Sequence, residues 1–358
     1  MRFKILMQTA MNNLSKRVNQ LEESATIAMA RLSRELKEQG HDIISLSLGE
    51  PDFITPEDIR NAGKQAIDEG FTHYPPISGY PDLRKAISEK FKRENNLNYK
   101  PEQIVVSTGA KQSIANVVFS LVDPGDEVII PAPYWVSYGQ IVQLAEGNPV
   151  ILPTTIETDF KPTVAQIKAA ITPRTKLFIF SSPCNPTGTM FTRDELKELA
   201  QLFKDYPGIW ILSDEIYEHI NFDGKHESIA QFDEVHDRVI IVNGVSKGYA
   251  MTGWRIGFIG APVEVAKACD KMQGQFTSGA SSIAQKAAVK AVSTDWQTYA
   301  YMRESFQRRR DLVLGLMKDI PGWKFNKPAG AFYVFPDVTY FFGKSAEGTT
   351  VKNATDLC

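Results

Sequence analysis

Between residues 103 and 244, short unbroken apolar runs alternate with stretches of helical periodicity. "QIVVSTG" (103–109) precedes "AKQSIANVVFSLV", and "DEVIIP" (126–131) follows a "DPGD" turn and precedes "YWVSYGQIVQLA". "TKLFIFSS" (175–182) precedes "TRDELKELAQLFKDY", where Thr192 and Glu195 fit a capping box. "IWILSDE" (209–215) and "RVIIVNG" (238–244) are two more such runs. A strand with one wet face alternates apolar and polar residues, whereas one covered on both faces does not. The pattern therefore predicts an α/β fold, a mainly parallel sheet sandwiched by helices. "WRIGFIGAP" adds a strand whose direction the pattern leaves open. Residues 261–319 read as long helices, and "GWKFNKPAGAFYVFPD" (322–337) reads as strands of a smaller α+β domain.

The start of the chain divides differently. Residues 1–10 read as a disordered leader whose apolar part is too short for a secretory signal. From Met11 an arm leads into an amphipathic helix closed by Gly40. The expected division is arm and first part of the small domain over 11–55, large domain over 56–312, and the rest of the small domain over 313–358.

In sheets of this kind ligands gather at the carboxyl ends of the strands. The residues there are "STGAK" (107–111), "SPCNPTG" (182–188), "SDEIY" (213–217) and "NGVSK" (243–247). A lone lysine such as Lys247 is ordinarily a solvated loop residue. Here it has company. Arg255 offers a neighbouring cation that lowers its pKa and a planar fork that suits a phosphate monoester. Gly109 and Ala110 open a helix straight after a strand, so their N–H groups suit the same phosphate. Asp214 ends an apolar strand, where a carboxylate needs a partner such as a cationic ring nitrogen. Trp135 supplies an aromatic face, Tyr217 a phenol and Asn185 an amide. Pyridoxal 5'-phosphate satisfies all of these: Lys247 for its aldehyde, Arg255 and the helix start for its phosphate, Asp214 for its pyridinium.

The remaining composition excludes other classes. A net charge of −2 offers no basic field for nucleic acid and no polybasic run for a membrane. The five histidines (41, 73, 219, 226, 236) show no metal-ligand spacing, so no metal site is expected. Cys184, Cys269 and Cys358 share no CxxC spacing and fit thiols of a reducing, cytoplasmic compartment.

At this point the chain resembles the fold-type I pyridoxal-phosphate aminotransferases of class I, most of all the bacterial aspartate aminotransferases. "SLGEPDF" (47–53), "THYPPISGYPDLR" (72–84), "TGAKQ" (108–112), "PYWVSY" (133–138), "NPTG" (185–188), "SDEIYE" (213–218), "SKGYAMTGWRIG" (246–257) and "PAGAFYV" (328–334) stand in that family's order. The resemblance implies transfer of an amino group from an amino acid to a 2-oxo acid. It makes Lys247 the Schiff-base lysine and proton shuttle, and Asp214 the partner of the pyridine nitrogen. Tyr217 and Asn185 become donors to the ring's phenolic oxygen, Trp135 the stacked ring, and Gly49 a backbone contact to the substrate carboxylate, with Trp135 and Asn185 also beside the substrate. Ser246 touches the phosphate, although Gly244 stands where the family often has serine. Tyr74 reaches the phosphate of a neighbouring subunit, which implies a homodimer with shared sites.

Lys111 resembles the lysine that contacts an acidic side chain, which implies aspartate or glutamate as donor. "GQFTSGASS" (274–282) carries no arginine for that task. A lysine of the arm is linked to prephenate in related enzymes, and Glu22 stands there instead, which ranks prephenate low. The resemblance also implies a C-terminally truncated chain. After "PAGAFYV" nothing matches "RLSYA" or "RFSYA", whose arginine grips the α-carboxylate, and roughly 40 further residues would complete a small domain. Impaired turnover is then expected, with Arg303, Arg308, Arg309 and Arg310 facing solvent. Two other readings stay open: a carbon–sulfur lyase on the same scaffold, and a ligand-sensing aminotransferase-like domain.

Overall fold

A computed structural model describes residues 14–22, 25–46, 48–346 and 348–357. The leader over residues 1–10 lies outside the described residues, as do Met11 and Cys358.

Each of the apolar runs forms a strand, and residues 148–153 add one more. These are β1 (Ile104–Ser107), β2 (Glu127–Ala132), β3 (Asn148–Pro153), β4 (Thr175–Ser181), β5 (Trp210–Asp214), β6 (Val239–Gly244) and β7 (Gly257–Gly260). They form one sheet in the order β1-β7-β6-β5-β4-β2-β3. Neighbours from β6 to β3 pair in parallel, while β7 runs antiparallel to both β1 and β6.

Alternate residues of these strands enter two separate cores. Ile104, Ile129, Phe178, Ile211, Ile241 and Phe258 pack on one face, against the helices Glu57–Asp68, Pro81–Lys90, Arg193–Lys204 and Ser282–Ser293. Val105, Ile130, Leu177, Leu212, Ile240 and Ile259 pack on the other, against Ala110–Leu121, Ser137–Leu144 and Val263–Phe276. With apolar side chains required on both faces, the alternation that marks a half-wet strand disappears. Thr192 caps Arg193–Lys204 as expected, accepting from the Glu195 N–H while the Glu195 carboxylate accepts from Thr192. Gly40 adopts φ +90° after the helix Ala25–Glu38, and its N–H donates to Lys37 O at 3.0 Å.

The chain departs from its expected pattern in three places. "NPVILP" forms β3, a strand the pattern did not announce; it sits at the sheet edge, where proline is tolerated because no partner needs its missing N–H. Residues 322–337, expected as strands, form among the described residues only the isolated bridges Asn221–Gly330 and Lys324–Asp337. Here the apolar side chains pack as rings, Phe332 on Phe306 at 5.0 Å and on Tyr333 at 4.9 Å, without a ladder. Arg310, expected in solvent, is buried: it donates to Pro328 O at 2.9 Å, lies over the Phe222 ring and pairs with Asp311 and Asp223. Arg309 grips Asp52 with both nitrogens at 2.7 and 3.0 Å.

Candidate active site

The rim where β1, β4, β5 and β6 end surrounds a cavity of roughly 610 Å³, within the usual size for a small-molecule site. The antiparallel course of β7 matters here. Its first residue, Gly257, pairs with both Ser107 and Gly244 at the ends of β1 and β6, so Arg255, two residues earlier, stands at the same rim. A Cβ on Gly257 would overlap the backbone of Gly109 and Ala110, so only glycine lets these segments meet. Gly109, at φ +83°, packs the same way against the Arg255 guanidinium.

Lys247 extends into this cavity and donates to the carbonyl of Gly49 at 2.5 Å. Burial pushes its pKa down to about 8; Arg255 acts in the same direction, while Glu50 and Asp214 oppose it. About a tenth of an amine with that pKa is uncharged at pH 7, roughly 300-fold more than for an ordinary lysine. Asp214, 5% exposed at the end of β5, is pushed up to about 6 by burial, against hydrogen bonds from Tyr138 and the Ile216 N–H. The Tyr138 hydroxyl donates to it at 2.6 Å. Tyr217 is buried beside them with its hydroxyl 2.6 Å from that of Tyr333, and Asn185 Nδ2 donates to the Tyr333 hydroxyl at 3.2 Å.

On the opposite side, Ala110 begins its helix beside Arg255, and Ser246 is buried at the cavity wall. The Lys111 ammonium lies 4.9 Å from the centre of the Trp135 ring, its pKa lowered by burial and then by Arg255. Ten of the twelve residues singled out in the sequence thus line one cavity. Gly109 lies just behind Arg255. Tyr74 stands apart, 95% exposed and outside the cavity of its own chain.

Two tyrosines without a role in the sequence pattern, Tyr138 and Tyr333, contribute polar groups. Tyr138 lies three residues beyond Trp135, in the first turn of Ser137–Leu144, and Tyr333 closes over Gly49, where a Cβ would overlap its hydroxyl. Their signal in the sequence was only that a buried tyrosine hydroxyl needs a partner.

The donor set fits pyridoxal phosphate. A partly neutral amine, a buried carboxyl that forms no ion pair among the described residues and feels only the more distant charge of Lys247, and two cations beside a helix start surround a space with one aromatic wall. An aldehyde, a basic ring nitrogen and a phosphate complement these groups in turn.

A doubly covered sheet carrying this rim defines a pyridoxal-phosphate enzyme. The family described as "Aminotransferase class I and II" matches residues 41–341, and the chain belongs to it. A relative from Cereibacter sphaeroides named aspartate/prephenate aminotransferase is 49% identical over 337 residues, which are 94% of this chain and 84% of that protein. A Petunia hybrida protein named bifunctional aspartate aminotransferase and glutamate/aspartate-prephenate aminotransferase is 45% identical, over 97% of this chain and 73% of its own. The crystal structure of the aspartate aminotransferase from Rhizobium meliloti superposes with a TM-score of 0.93 at 42% identity, covering 97% of this chain and 87% of that one. The Thermus thermophilus aspartate aminotransferase with maleate gives 0.86 at 42% identity, covering 90% and 84%. The chain is an aspartate-aminotransferase-like enzyme that uses pyridoxal phosphate and moves an amino group between an amino acid and a 2-oxo acid.

Proposed function

We propose that the amino donor is acidic, aspartate or glutamate, and that Lys111 selects it. The observation that carries this is the Lys111 ammonium at the cavity wall: burial and Arg255 both disfavour its charge, so an anion beside it is stabilising. The helix dipole acts in the same sense, because a cation in the first turn is unfavourable without an anionic partner. Maleate, present in the Thermus structure, is itself a dicarboxylate.

Pyridoxal phosphate, when bound, supplies the aldehyde and the electron-withdrawing ring. Lys247 would hold the aldehyde through its amine and would move the proton at the substrate's Cα. Asp214 holds the ring nitrogen, and Tyr217 and Asn185 hold the ring's phenolic oxygen. Trp135 covers the ring face. Gly109, Ala110, Ser246 and Arg255 take the phosphate, and Gly49 presents backbone to the substrate carboxylate. Tyr74 completes the phosphate site of a second copy in a homodimer, in keeping with its exposure and with the exposed Ile27, Met29 and Leu32 of the arm helix. The free thiols of Cys184 and Cys269 suit the cytoplasm, and among the described residues no helix is long and apolar enough to cross a membrane.

Prephenate is the second reading, favoured by the names of the relatives. The Glu22 carboxylate raises the Tyr134 phenol, after burial, and so places negative charge near the cavity wall, which disfavours a second acidic group on that side. Steady-state rates with aspartate, alanine and prephenate in the wild type and Lys111→Ala decide between these. Aspartate preference retained in the variant overturns the role of Lys111, and prephenate accepting the amino group of aspartate as readily as the 2-oxo acid of glutamate does overturns its low rank.

A further inference from the structure

Behind the cavity lies a second buried polar assembly. Lys90 ends the helix Pro81–Lys90, and a single π turn, Phe91–Asn95, follows it. The turn brings Lys90, Glu94 and Asn95 to one side, where they meet Glu218 and His219. Lys90 is 1% exposed, and its ammonium binds the Glu218 carboxylate directly and Asn95 Oδ1 at 3.0 Å. Asn95 Nδ2 donates to Glu218 Oε2 at 2.9 Å and Asn243 Nδ2 to Glu218 Oε1 at 2.7 Å. Burial raises the Glu218 carboxyl, but Lys90, His219 and His226 together hold it below the usual carboxylate range. Glu94, Glu218 and His219 are close enough to share a cation, and Lys90 supplies one.

The chain positions of these contacts are what matter for the site. Glu218 follows Tyr217 directly and lies four residues after Asp214. Asn243 is on β6, four residues before Lys247, and its Oδ1 accepts from the Gly244 N–H at 2.7 Å. The Glu218–Asn243 bond therefore fastens the loop after β5 to the strand that delivers Lys247. A second fastening runs in parallel. The His219 ring stacks on Trp296 at 4.8 Å, Trp296 Nε1 donates to Gly248 O at 3.1 Å, and a Cβ on Gly248 would overlap His219. Both loops are thus joined beneath the cavity, without help from anything bound above.

We propose that Glu218 is a positioning residue: its buried carboxylate, held by Lys90 and Asn95 and bonded to Asn243, sets the spacing between Asp214 and Tyr217 at and beyond the end of β5 and Lys247 beyond the end of β6. Reacting groups must be held to about 0.5 Å, and a displacement of about 1 Å costs on the order of a hundredfold in rate. The inference rests on Asp214, Tyr217 and Lys247 facing the cofactor. Borohydride labelling of wild-type Lys247 tests that reading, whereas the coupling is read only from variant-to-wild-type ratios.

The test is the double variant Lys90→Met with Glu218→Met, beside Asn243→Ala. Replacing a buried ion pair by apolar residues of similar volume is often neutral for stability. A purely structural role therefore predicts that the double variant recovers melting temperature and kcat together. A positioning role predicts a wild-type melting temperature, kcat lower by about tenfold or more, KM changed by less than about threefold, and weaker visible circular dichroism of the bound cofactor. Asn243→Ala removes the Glu218–Asn243 bond, together with the bond from the Gly244 N–H, and leaves the ion pair and the His219–Trp296–Gly248 contacts in place. It carries the same expectation in kcat and dichroism, and it decides the matter if the double variant does not fold. Wild-type kcat and dichroism in Asn243→Ala overturn the proposal.

Discussion

Removing the amine of Lys247 is expected to stabilise the cofactor-free protein. Burial pushes its pKa from 10.5 to about 8. At about 1.4 kcal/mol for each tenfold change, the buried ammonium costs the folded state about 3 kcal/mol below pH 8. The unfolded chain keeps an ordinary lysine, so between pH 8 and 10.5 it holds a proton that the folded chain has released. Stability then rises with pH across that window, and the cost is fully present below it. Lys247→Met keeps the length and removes the charge. It also loses the hydrogen bond to Gly49 O, worth about 1 kcal/mol, which leaves a net gain of about 2 kcal/mol at pH 7. With an unfolding entropy of about 2.1 cal/mol/K per residue over 358 residues, that gain raises the melting temperature by about 3 °C. The assay is thermal unfolding of both cofactor-free proteins by circular dichroism, at pH values from about 6.5 to about 10. The advantage of the variant should shrink as pH rises. A variant less stable at pH 7, or a difference independent of pH, refutes the claim that burial of the ammonium sets the lysine's reactivity.

Asp214→Asn should retain the cofactor and lose about a hundredfold or more in kcat, the scale of a lost charge-stabilising group; unchanged turnover removes Asp214 from the chemistry. The same substitution should stabilise the cofactor-free protein above pH 6, because burial makes the folded carboxylate costly once it ionises, and unfolding curves at pH 5 and pH 7.5 should differ accordingly. Lys111→Ala should lower kcat/KM for aspartate by about tenfold or more and leave alanine unaffected, as for one charge-assisted hydrogen bond; equal losses on both substrates refute selection by charge. Tyr74→Phe should weaken cofactor affinity by about tenfold with size-exclusion elution as a dimer unchanged, and an unaltered affinity places Tyr74 outside the partner's site.

The core strands were legible because two-sided burial writes itself as an apolar run, and Ile211 with Leu212 on β5 illustrates why: one side chain enters each core. The same property hides the register, since sliding such a strand by one residue exchanges one apolar face for another. β3 was hidden because an edge strand needs neither two apolar faces nor every N–H, so "NPVILP" passes for a loop. Arg310 is buried although neighbouring arginines suggest a solvated face. In a helix Arg309 and Arg310 point about 100° apart, one to Asp52 and the other inward to Pro328 O.

Asp214 shows how far the chemistry could be read. A carboxylate closing a run such as "IWILSDE" must be neutralised, paired or left at a cost, and a cationic ring nitrogen is one remedy. A polar neighbour from another segment is a second, and Tyr138, 76 residues away, supplies it. No periodicity links these two residues, because the meeting depends on β2 and β5 lying on either side of β4 in the sheet. The hydrogen bond from Tyr138 lowers the Asp214 pKa, but burial outweighs it and leaves the acid at about 6. The phenol therefore orients the carboxylate without relieving the cost of its charge. A cation on the cavity side removes the remainder, and the energy released makes Asp214 a tighter partner for a protonated ring than for a neutral one. Titration of a bound, non-reactive pyridine analogue tests this: its nitrogen should protonate at higher pH in the wild type than in Asp214→Asn, and equal values would mean that Tyr138 alone satisfies the acid.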